Sequence, residues 1–529
     1  MKYTMRLAAG LLFAATLTAQ VTSERLLNAA QEPGNWLTYS GTYQSQRYSP
    51  LDQITRENAS KLKLSWVFQA SSLQKFEATP LVVDGVMYLT QAPNDVVALD
   101  AKTGRKFWTY NHQLPETINV CCGAVNRGLA ILGDQLFMGT VDGYLLALDA
   151  TTGAVNWKTK VVEYKNGYSL TVAPLIVKGK VIVGTAGGEY GIRGFLDAYD
   201  AQTGEQAWRF YTIPGPGEPG HETWEGDSWM TGGGSAWVTG SYDPELNLVY
   251  WGIGNPAPDW NGDVRMGDNL YTDSAVALDA DTGKLKWHFQ FTPHDEWDWD
   301  SVQVPVLVDR EFQGRMRKVI LWGNRNGHFY VLDRATGEYL LGKAFVHQTW
   351  NDGLDEKGRP KTRQAAAPSI EGTKVYPGVQ GGTNWYSPSY SPQTGLFYLS
   401  VWEYASTYHK NDPIYAEGHR FLGSLPRRVE GDPGYGAIRA LDPETGEMEW
   451  EFRMVEVTNS GLLSTSTGVL FSGSNEGHFL ALDARNGQEI WRTNLGGRAY
   501  ASPITYTVDG EQQISIAAGN ALFTFVLGE

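Results

Sequence analysis

The segment HDEWDWD, residues 294–300, brings four acids, one histidine and two tryptophans together in seven positions. Asp298 and Asp300 alternate with Trp299, so an extended chain here would project both carboxylates to one side. Carboxylates held beside large apolar rings are poorly solvated, and such groups often bind a cation or exchange a proton. The segment is therefore a candidate site for cation binding or proton transfer.

Other polar or aromatic residues interrupt the regular pattern of the chain in short motifs. They are Glu189 in GTAGGEYG (184–191), Trp237 in TGGGSAW (231–237), Asn255 in WGIGNPAPDW (251–260), Arg325 in NRNGH (324–328), and Asn384 with Trp385 in GGTNW (381–385). The Glu, Asn and paired Asp side chains form a set of hard oxygen donors, which suits Ca²⁺ or a related cation rather than Zn²⁺. Each residue also has a structural interpretation: a turn carboxylate for Glu189 and Asp300, core filling for Trp237, an Asx turn for Asn255, a surface charge for Arg325, and a hydrogen-bonded core side chain for His294.

A repeat predicts how the chain positions these residues. Seven copies have Asp and Gly four residues apart, as in ALDAKTGRKFW (98–108), and all but one place Trp four residues further on. The aspartates of the copies are Asp100, Asp149, Asp200, Asp279, Asp333, Asp442 and Asp483, and the exception has Leu341 in place of Trp. In each copy a strand ends at Asp, Gly takes the positive φ of a tight turn, and the next strand carries Trp.

The copies predict an all-β fold, an eight-bladed β-propeller. Most follow another predicted strand pair and recur every 41 to 54 residues, the period of a four-stranded blade. SPQTGLFYLSVW (391–402) is a candidate for a degenerate eighth copy in the wide gap between Asp333 and Asp442. We expect N- and C-terminal strands to pair and close the ring, and the repeat tryptophans to pack between neighbouring blades. Insertions and off-pattern polar residues would then collect over the central channel.

Composition limits the function classes. The chain has 529 residues and a formal net charge of −15, which argues against nucleic acid as a partner. Residues 1–19 read as a signal peptide, with Lys2 and Arg6 before a short apolar run, so residues 20–529 would form the exported, periplasmic protein with no membrane span. The only two cysteines, Cys121 and Cys122, are adjacent, and their spacing leaves open either a strained disulfide or two small buried thiols.

Several motifs carry a family resemblance. CCGAVNRGLA (121–130), GTAGGEYGIRG (184–194), WEGDSWMTGGGSAW (224–237), GNPAPDW (254–260) and TPHDEWDWD (292–300), with NWLTYSGTYQSQRYSPLDQI (35–54), resemble the pyrroloquinoline quinone (PQQ)-dependent alcohol dehydrogenases. The resemblance covers essentially the whole chain after residue 19 and implies an eight-bladed propeller with PQQ in its central channel. The chain departs from the family at Ala186 and Ser235, where Ser and Thr are common. It also departs in TNSGLL (458–463), which lacks a Trp that many members place over the cofactor.

The resemblance implies roles for individual residues. The adjacent cysteines look like the family's disulfide on one face of the quinone, with Trp237 on the other face. The positions that match PQQ contacts are Glu77, Cys121, Cys122, Arg127, Thr171, Gly187, Gly188, Ser235, Trp237, Arg325, Asn384 and Trp385. The positions that match the metal site are Glu189, Asn255, Asp298 and Asp300. Asp298 matches the catalytic base, and Arg325 matches the arginine near the quinone oxygens.

Asp300 favours a lanthanide over Ca²⁺ by the same resemblance. Calcium-dependent members generally have a small residue at this position, and a trivalent ion in a water-poor site demands more negative charge. The implied reaction oxidises a primary alcohol to an aldehyde. A separate periplasmic c-type cytochrome would accept the electrons, because the sequence has no CxxCH motif to attach haem. The resemblance also allows a homodimer. Two alternatives are a PQQ enzyme for sugars or polyols, and a non-catalytic propeller scaffold, which would need neither the cysteine pair nor the acids.

Overall fold

Antiparallel β-sheet dominates the chain. The computed structural model describes residues 20–528, so the predicted signal peptide at residues 1–19 lies outside the described residues. Eight sheets in this part of the chain contain four antiparallel strands each, and we number them sheet 1 to sheet 8 in chain order. Among the described residues, no helix is long and apolar enough to cross a membrane.

The first four sheets follow one another directly along the chain. Their strands are Leu81–Val83, Val86–Gln91, Asp95–Asp100 and Lys106–Tyr110 in sheet 1; Ala130–Leu132, Gln135–Gly139, Tyr144–Asp149 and Val155–Lys160 in sheet 2; Leu175–Val177, Lys180–Gly184, Phe195–Asp200 and Gln206–Tyr211 in sheet 3; and Ser241–Asp243, Leu248–Gly252, Ser274–Asp279 and Leu285–Gln290 in sheet 4.

The last four sheets continue this order, but sheets 7 and 8 also include strands from near the N-terminus. The strands are Val306–Phe312, Arg315–Gly323, His328–Asp333 and Tyr339–Ala344 in sheet 5; Ser389–Tyr390, Phe397–Glu403, Tyr435–Leu441 and Met448–Met454 in sheet 6; Leu462–Thr465, Val469–Gly473, His478–Asp483 and Glu489–Asn494, with the short parallel strand Tyr48–Ser49, in sheet 7; and Ile504–Val508, Glu511–Ala518, Ala521–Leu527 and Leu62–Gln69 in sheet 8.

The Asp-Gly repeat forms the last hairpin of a sheet, as its spacing predicts. In sheet 1 the Asp100 carboxylate accepts hydrogen bonds from the backbone N–H groups of Lys102 and Thr103 at 2.9 and 3.1 Å. Gly104 has φ +71° and its N–H donates to the Asp100 carbonyl at 2.8 Å. The carboxylate thus accepts hydrogen bonds from backbone N–H groups of the turn, and Gly supplies the left-handed conformation that the turn requires.

The repeat tryptophans pack at the junctions between consecutive sheets, which confirms their predicted structural role. The Trp108 ring covers Gly153 so closely that an added Cβ would lie 2.6 Å from it, and Trp108 Nε1 donates to the Ala150 carbonyl at 3.1 Å. Five further pairs have the same contact: Trp66 on Gly104, Trp157 on Gly204, Trp208 on Gly283, Trp287 on Gly337 and Trp450 on Gly487. The copy without Trp covers Gly446 with Lys343 and Leu341.

The N-terminal strand Leu62–Gln69 closes the ring. It pairs antiparallel with Ala521–Leu527 and forms the fourth strand of sheet 8. Trp66 on this strand covers Gly104 of sheet 1, and Trp491 of sheet 7 lies 5.6 Å from the Phe525 ring of sheet 8. With the other Trp–Gly contacts and the contact of Lys343 and Leu341 with Gly446, these link the eight described sheets into a closed cycle. The predicted propeller class and the predicted pairing of N- and C-terminal strands are therefore confirmed.

The prediction of a degenerate copy at residues 391–402 is wrong. The SPQTG turn joins Ser389–Tyr390 to Phe397–Glu403, which are the first two strands of sheet 6, while the Asp442 copy forms the last two. The wide gap before Asp442 instead contains insertions with two small sheets, Asn351–Leu354 with Pro360–Thr362 and Thr373–Val375 with Ser406–Tyr408 and Arg427–Arg428. The eighth four-stranded sheet comes from the two ends of the described chain.

Helical segments in the described chain are short and lie outside the sheets. One α-helical turn spans Ser23–Leu27, and its N-cap Thr22 accepts the N–H of Arg25 at 3.2 Å. The 3₁₀ segments are Ala29–Gln31, Ala59–Lys61, Tyr164–Asn166, Gly188–Tyr190, His221–Thr223, Ser228–Thr231, Gly262–Val264 and Gln364–Ala366. One of them, Gly188–Tyr190, carries a predicted metal ligand.

Candidate active site

One cavity collects side chains from every junction between consecutive sheets. Its lining residues on these junctions are Lys75 and Glu77, then Cys121, Cys122, Val125 and Arg127, then Ser169 and Thr171, then Trp237, then Asp298 and Asp300, then Gln380, Asn384 and Trp385, then Asn459, and finally Tyr500. Ala186, Gly187, Glu189 and Arg325 line it from turns inside sheets 3 and 5. Because all eight junctions contribute, the cavity lies where the closed cycle of sheets converges.

Most predicted site residues line this cavity, but three do not. Gly188, Ser235 and Asn255 lie directly behind the wall: a Cβ on Gly188 would be 3.1 Å from Asn255 Oδ1 and 3.3 Å from Ser235 Oγ. The triple glycine 232–234 allows this close packing behind the wall. At Gly233, for example, an added Cβ would lie only 2.8 Å from the Asn255 carbonyl oxygen. The glycines thus bring the turn that carries Asn255 against the backbone that leads to Trp237.

The loop that carries Asp298 and Asp300 is not extended. Asp298 has φ +61°, and the Asp295 carboxylate accepts the N–H groups of Trp297 and Trp299 at 3.2 and 2.9 Å. These bonds curl the chain around Asp295, so the two aspartates do not alternate as they would in a strand. Both carboxylates nevertheless reach the cavity, while Trp297 and Trp299 stack with ring centroids 4.9 Å apart in the core.

Arg325 joins the two aspartates. Its Nη1 donates to Asp300 Oδ2 at 2.5 Å, and its Nη2 donates to Asp298 Oδ2 at 3.2 Å. Asp300 Oδ1 also accepts the backbone N–H of Asn255 at 3.0 Å. Arg325 is 3% exposed, so its interpretation as a surface charge is wrong. The predicted ligand pair Asn255 and Asp300 is in direct contact.

The cysteine pair faces the Glu189 turn. Cys121 and Cys122 form a disulfide, and Cys122 Sγ lies 3.8 Å from Glu189 Oε1. Cys122 is exposed and Cys121 is partly buried, so the alternative of two buried thiols is wrong. The Glu189 carbonyl accepts the N–H of Phe421 at 2.7 Å, which ties the turn to the large insertion of sheet 6.

Arg127 packs against two indole rings of the cavity wall. Its guanidinium carbon is 4.6 Å from the Trp237 ring centre and 4.7 Å from that of Trp385. Arg127 also pairs with Glu77 at 2.8 Å and donates to Thr171 Oγ1 at 2.9 Å, while its Nε has no acceptor among the described residues. A flat anionic ligand would find here a ring to stack on, a guanidinium and a hydroxyl.

Burial and mutual repulsion dominate the electrostatics of the acids. Burial and the charge of Asp300 raise the pKa of Glu189 to about 7. Burial raises the pKa of Asp298 well above its usual value, against the opposing charge of Arg325, and Asp300 and Glu189 raise it further. Burial also raises the pKa of Asp295 to about 6. Burial thus shifts Glu189, Asp295 and Asp298 towards the protonated form, and a cation beside them would oppose that shift.

The donor set fits a multivalent cation. Seven carboxyl groups lie in this region of the described structure, on Glu189, Asp259, Asp273, Asp295, Glu296, Asp298 and Asp300. The guanidinium groups that offset them are those of buried Arg265 and Arg325 and of exposed Arg420. Within the described residues, however, the carboxylates of Glu189, Asp298 and Asp300 do not all lie within 4.8 Å of one another. Asp298 and Asp300 contact Arg325 instead of converging on one point.

Seven lining residues were not predicted: Lys75, Val125, Ser169, Ala186, Gln380, Asn459 and Tyr500. Lys75, Val125 and Gln380 lie within a few residues of predicted positions, so their nearness to those positions could have identified them from the sequence. Lys75 Nζ donates to the Cys122 carbonyl at 3.4 Å and lies 5.8 Å from the Tyr500 ring centre. Tyr500 itself belongs to no motif, and Asn459 lies in the segment where the family resemblance failed.

Comparison with known proteins identifies the family. Residues 36–344 match the family model described as glucose/ethanol/alcohol dehydrogenase, β-propeller domain. Quinoprotein alcohol dehydrogenase PedH from Pseudomonas putida is 39% identical over 537 aligned residues, which cover 96% of this chain and 90% of that protein. The chain belongs to the PQQ-dependent quinoprotein alcohol dehydrogenase family. Quinohemoprotein alcohol dehydrogenase ADH-IIG from Pseudomonas putida is 40% identical, and the aligned region covers 96% of this chain and 75% of that one.

Solved structures of this family superpose closely. The quinohemoprotein alcohol dehydrogenase from Comamonas testosteroni has a TM-score of 0.91 at 36% identity, with 97% of this chain and 84% of that chain covered. A europium-containing methanol dehydrogenase has a TM-score of 0.90 at 33% identity, with 96% and 100% covered. Residues 434–525 also match the family model of outer membrane protein assembly factor BamB, but the BamB structure from Moraxella catarrhalis is only 15% identical and shares the fold alone.

Proposed function

We propose that this quinoprotein oxidises primary alcohols to aldehydes with PQQ and a lanthanide ion in the cavity between the sheets. The observation that carries the proposal is the cavity itself. It combines a stacking surface at Trp237, cationic and polar groups at Arg127, Thr171 and Asn384, and acids at Glu189, Asp298 and Asp300. When bound, PQQ would accept hydride from the alcohol while the cation polarises its carbonyl group.

Asp298 is the proposed base for the alcohol hydroxyl. It lines the cavity, and among the described residues only one long hydrogen bond, from Arg325 at 3.2 Å, restrains its carboxylate. A positive ion beside the carboxylate would oppose the effect of burial and lower its pKa, so that the group is ionised when substrate arrives. Arg325 would hold Asp298 in place and donate to negative charge that develops nearby.

Charge supports a trivalent ion. Asp300 adds a second carboxylate to the Asp298 loop, and the surrounding acids outnumber the two buried arginines. Coulomb attraction to this excess of negative charge grows with the charge of the ion, whereas a divalent ion leaves more repulsion between the carboxylates. One similar solved structure is a europium-containing methanol dehydrogenase. Ca²⁺ is the alternative ion.

Electrons would leave to a separate c-type cytochrome in the periplasm. The sequence has only two cysteines and no CxxCH motif, and the structure joins both cysteines to each other. The signal-like residues 1–19 support export to the periplasm. Lys75 and Cys122 are exposed residues of the cavity lining, and substrate would enter past them.

Reconstitution tests the proposal. The protein, purified without cofactor, is mixed with PQQ and either La³⁺ or Ca²⁺, and metal content, absorbance and dye-linked oxidation of ethanol and glucose are measured. We expect one ion and one PQQ per chain and faster oxidation of the alcohol with La³⁺. Faster oxidation of glucose would favour the sugar or polyol enzyme. Failure to bind PQQ at all would favour a non-catalytic propeller.

A further inference from the structure

One loop of the described chain contacts two turns that carry proposed metal ligands. Residues 411–423 lie in the large insertion of sheet 6 and contain no helix or strand. The N–H of Asn411 donates to the Gly423 carbonyl at 2.6 Å, so the two ends of the segment meet, as in an Ω-loop. We call residues 411–423 the insertion loop. A loop without regular hydrogen bonding keeps its conformation through the surfaces that it contacts.

The first of these surfaces is the Glu189 turn. The N–H of Phe421 donates to the Glu189 carbonyl at 2.7 Å, and Phe421 is 8% exposed. The rings of Phe421 and Tyr415 meet edge to face with their centroids 5.4 Å apart. Both rings cover Gly191, where an added Cβ would lie 3.0 Å from Phe421 and 3.1 Å from Tyr415. The insertion loop therefore holds the backbone of Glu189 by a hydrogen bond and the end of its turn by an aromatic pair.

The second surface is the turn that starts before Asn255 and continues through Trp260. The N–H of Trp260 donates to the Leu422 carbonyl at 3.0 Å. Asn261 Nδ2 donates to the Asn411 carbonyl at 2.9 Å. Two hydrogen bonds thus join the base of the insertion loop to the far end of the Asn255 turn.

The insertion loop also rests on the core that supports Asp298. Leu422 packs against the buried cluster that contains Trp260, Trp297 and Trp299. Trp297 and Trp299 are the neighbours of Asp298 in the sequence. The same cluster therefore supports the Asp298 loop and the insertion loop.

We propose that the insertion loop is a positioning element of the cation site: it holds Glu189 and Asn255 at the separation that the ion requires, and a bound ion in turn orders the loop. The inference rests on the cation site of the proposed function. Its physical basis is that the Glu189 turn lies within sheet 3 and the Asn255 turn within sheet 4, and the insertion loop is hydrogen-bonded to both. An ion that binds both ligands favours the arrangement in which those bonds are made, and such coupling is reciprocal. Phe421 does not line the cavity, so it acts on the ion only through the turn.

Terbium luminescence and hydrogen exchange test the inference without an activity measurement. The PQQ-loaded mature protein is stripped of metal and titrated with Tb³⁺, whose emission the nearby tryptophans sensitise. Emission lifetimes in H₂O and D₂O count the water molecules on the ion. The variant is Phe421→Ala, and Phe421→Leu is the conservative variant. The matched control is Ile414→Ala on the same loop, because Ile414 is 84% exposed.

We expect Phe421→Ala to lower Tb³⁺ affinity about fivefold or more and to add water to the bound ion, because a loosened Glu189 turn covers the ion less completely. Phe421→Leu should recover most of the affinity, and Ile414→Ala should leave affinity and lifetime unchanged. Addition of La³⁺ to wild type should slow amide exchange of residues 411–423, and Phe421→Ala should lose most of this effect. A purely structural role would lower the unfolding temperature of Phe421→Ala and change neither the water count nor the ion-dependent exchange.

The outcomes distinguish this inference from the proposed function. A wild type that binds no Tb³⁺ would overturn the cation site, and the role of the loop with it. If wild type binds Tb³⁺ and Phe421→Ala has the same affinity and lifetime, or if La³⁺ does not slow exchange in the loop of wild type, the positioning role is wrong and the cation site stands. If Phe421→Ala does not fold, replacement of residues 412–422 by two glycines repeats the test, since the ends of the loop already meet. Failure of both to fold would show that the loop is structural instead.

Discussion

Asp298 and Asp300 stand two residues apart in one loop, but their carboxylates have different surroundings. Asp300 accepts two close hydrogen bonds, from Arg325 at 2.5 Å and from the Asn255 N–H at 3.0 Å. Asp298 accepts one at 3.2 Å and has a left-handed backbone. The carboxylate with fewer bonds is the better candidate to exchange a proton with substrate, whereas the fixed one is suited to hold charge in place.

This difference predicts distinct effects of two substitutions. Asp298→Asn should abolish alcohol oxidation with either La³⁺ or Ca²⁺, because it removes both the base and a ligand. Asp300→Ala should lose the La³⁺-supported activity and retain or gain some with Ca²⁺, since the variant has less charge to balance. Dye-linked alcohol oxidation with PQQ and each metal measures both. A wild type fully active with Ca²⁺, together with an Asp300→Ala variant unchanged with La³⁺, would show that Asp300 is only a loop carboxylate.

His328, which does not line the cavity, allows a test of how stability depends on pH. It is 3% exposed, and burial lowers its pKa from 6.5 to about 3. The folded protein keeps this histidine neutral below pH 6.5 while the unfolded chain protonates it, so its contribution to stability is lost as pH falls from 6.5 towards 3. The loss has a slope of up to about 1.4 kcal/mol per pH unit.

His328→Gln should therefore be destabilised at pH 7.5, where it lacks the packing of the ring against Tyr330 and Trp350. The difference in unfolding free energy between wild type and variant should become smaller at pH 4.5. Wild type loses stability there because its unfolded chain protonates His328, whereas the variant has no such group. Unfolding midpoints at the two pH values measure this difference. A difference that stays constant would show that His328 titrates alike in both states.

At the residue scale, motifs that carry their own geometry supplied most of the residues that line the cavity. Glu189, Trp237 and Asp298 line one cavity, and glycines and acids in the same short segments determine their turns. Tyr500 was missed because nothing near it in sequence reports that it reaches the same cavity. The curl of residues 294–300 was missed because alternation alone does not reveal the bonds of Asp295 to two backbone N–H groups.

At the scale of elements, two kinds of tryptophan are distinguished by their neighbours. Trp108 lies on a glycine of the next sheet and donates to a backbone carbonyl there, whereas Trp237 faces Arg127 and the cavity. Trp208 makes the same contact on Gly283 and is buried, so Trp208→Ala should destabilise the cofactor-free protein by about 3–5 kcal/mol through loss of a buried ring between two sheets.

Trp237→Ala should instead weaken PQQ binding with modest loss of stability. Chemical unfolding of the cofactor-free protein and PQQ titration of both variants measure the two effects. If Trp237→Ala mainly unfolds the protein, the division between structural and cofactor-binding tryptophans is wrong.

Element-level prediction was reliable for the hairpins and less so for their place in a sheet. An Asp-x-x-x-Gly turn is determined locally, by one carboxylate and one positive φ, so its seven copies were found from sequence. The SPQTG turn at residues 391–395 is equally local, but it joins the first two strands of sheet 6 and not the last two. Only the pairing of distant strands, such as Phe397–Glu403 with Tyr435–Leu441, decides this.

At the scale of the whole molecule, the closed ring is what brings the segments of the site together. Sheet 8 takes its fourth strand from Leu62–Gln69, and the chain then passes Lys75 and Glu77 into the cavity. Every junction between sheets contributes at least one lining residue, so a ligand that fills the cavity would touch segments from residue 75 to residue 500. Ligand binding should therefore stabilise the ring as a whole and not one sector of it.

Hydrogen exchange tests this consequence. On addition of PQQ and La³⁺, amide exchange should slow at all eight junctions, which are residues 74–79, 119–128, 167–173, 235–238, 294–301, 378–386, 457–461 and 498–502. The outer strands Lys106–Tyr110, Val155–Lys160 and Gln206–Tyr211 should change little, because they lie far from the cavity and their exchange reflects local opening at the edge. Trp66→Ala, which weakens closure without touching the cavity, should reduce the protection at every junction together. Protection confined to the junctions next to Glu189 and Asp298 would contradict the coupling and show that the cation site forms independently of ring closure.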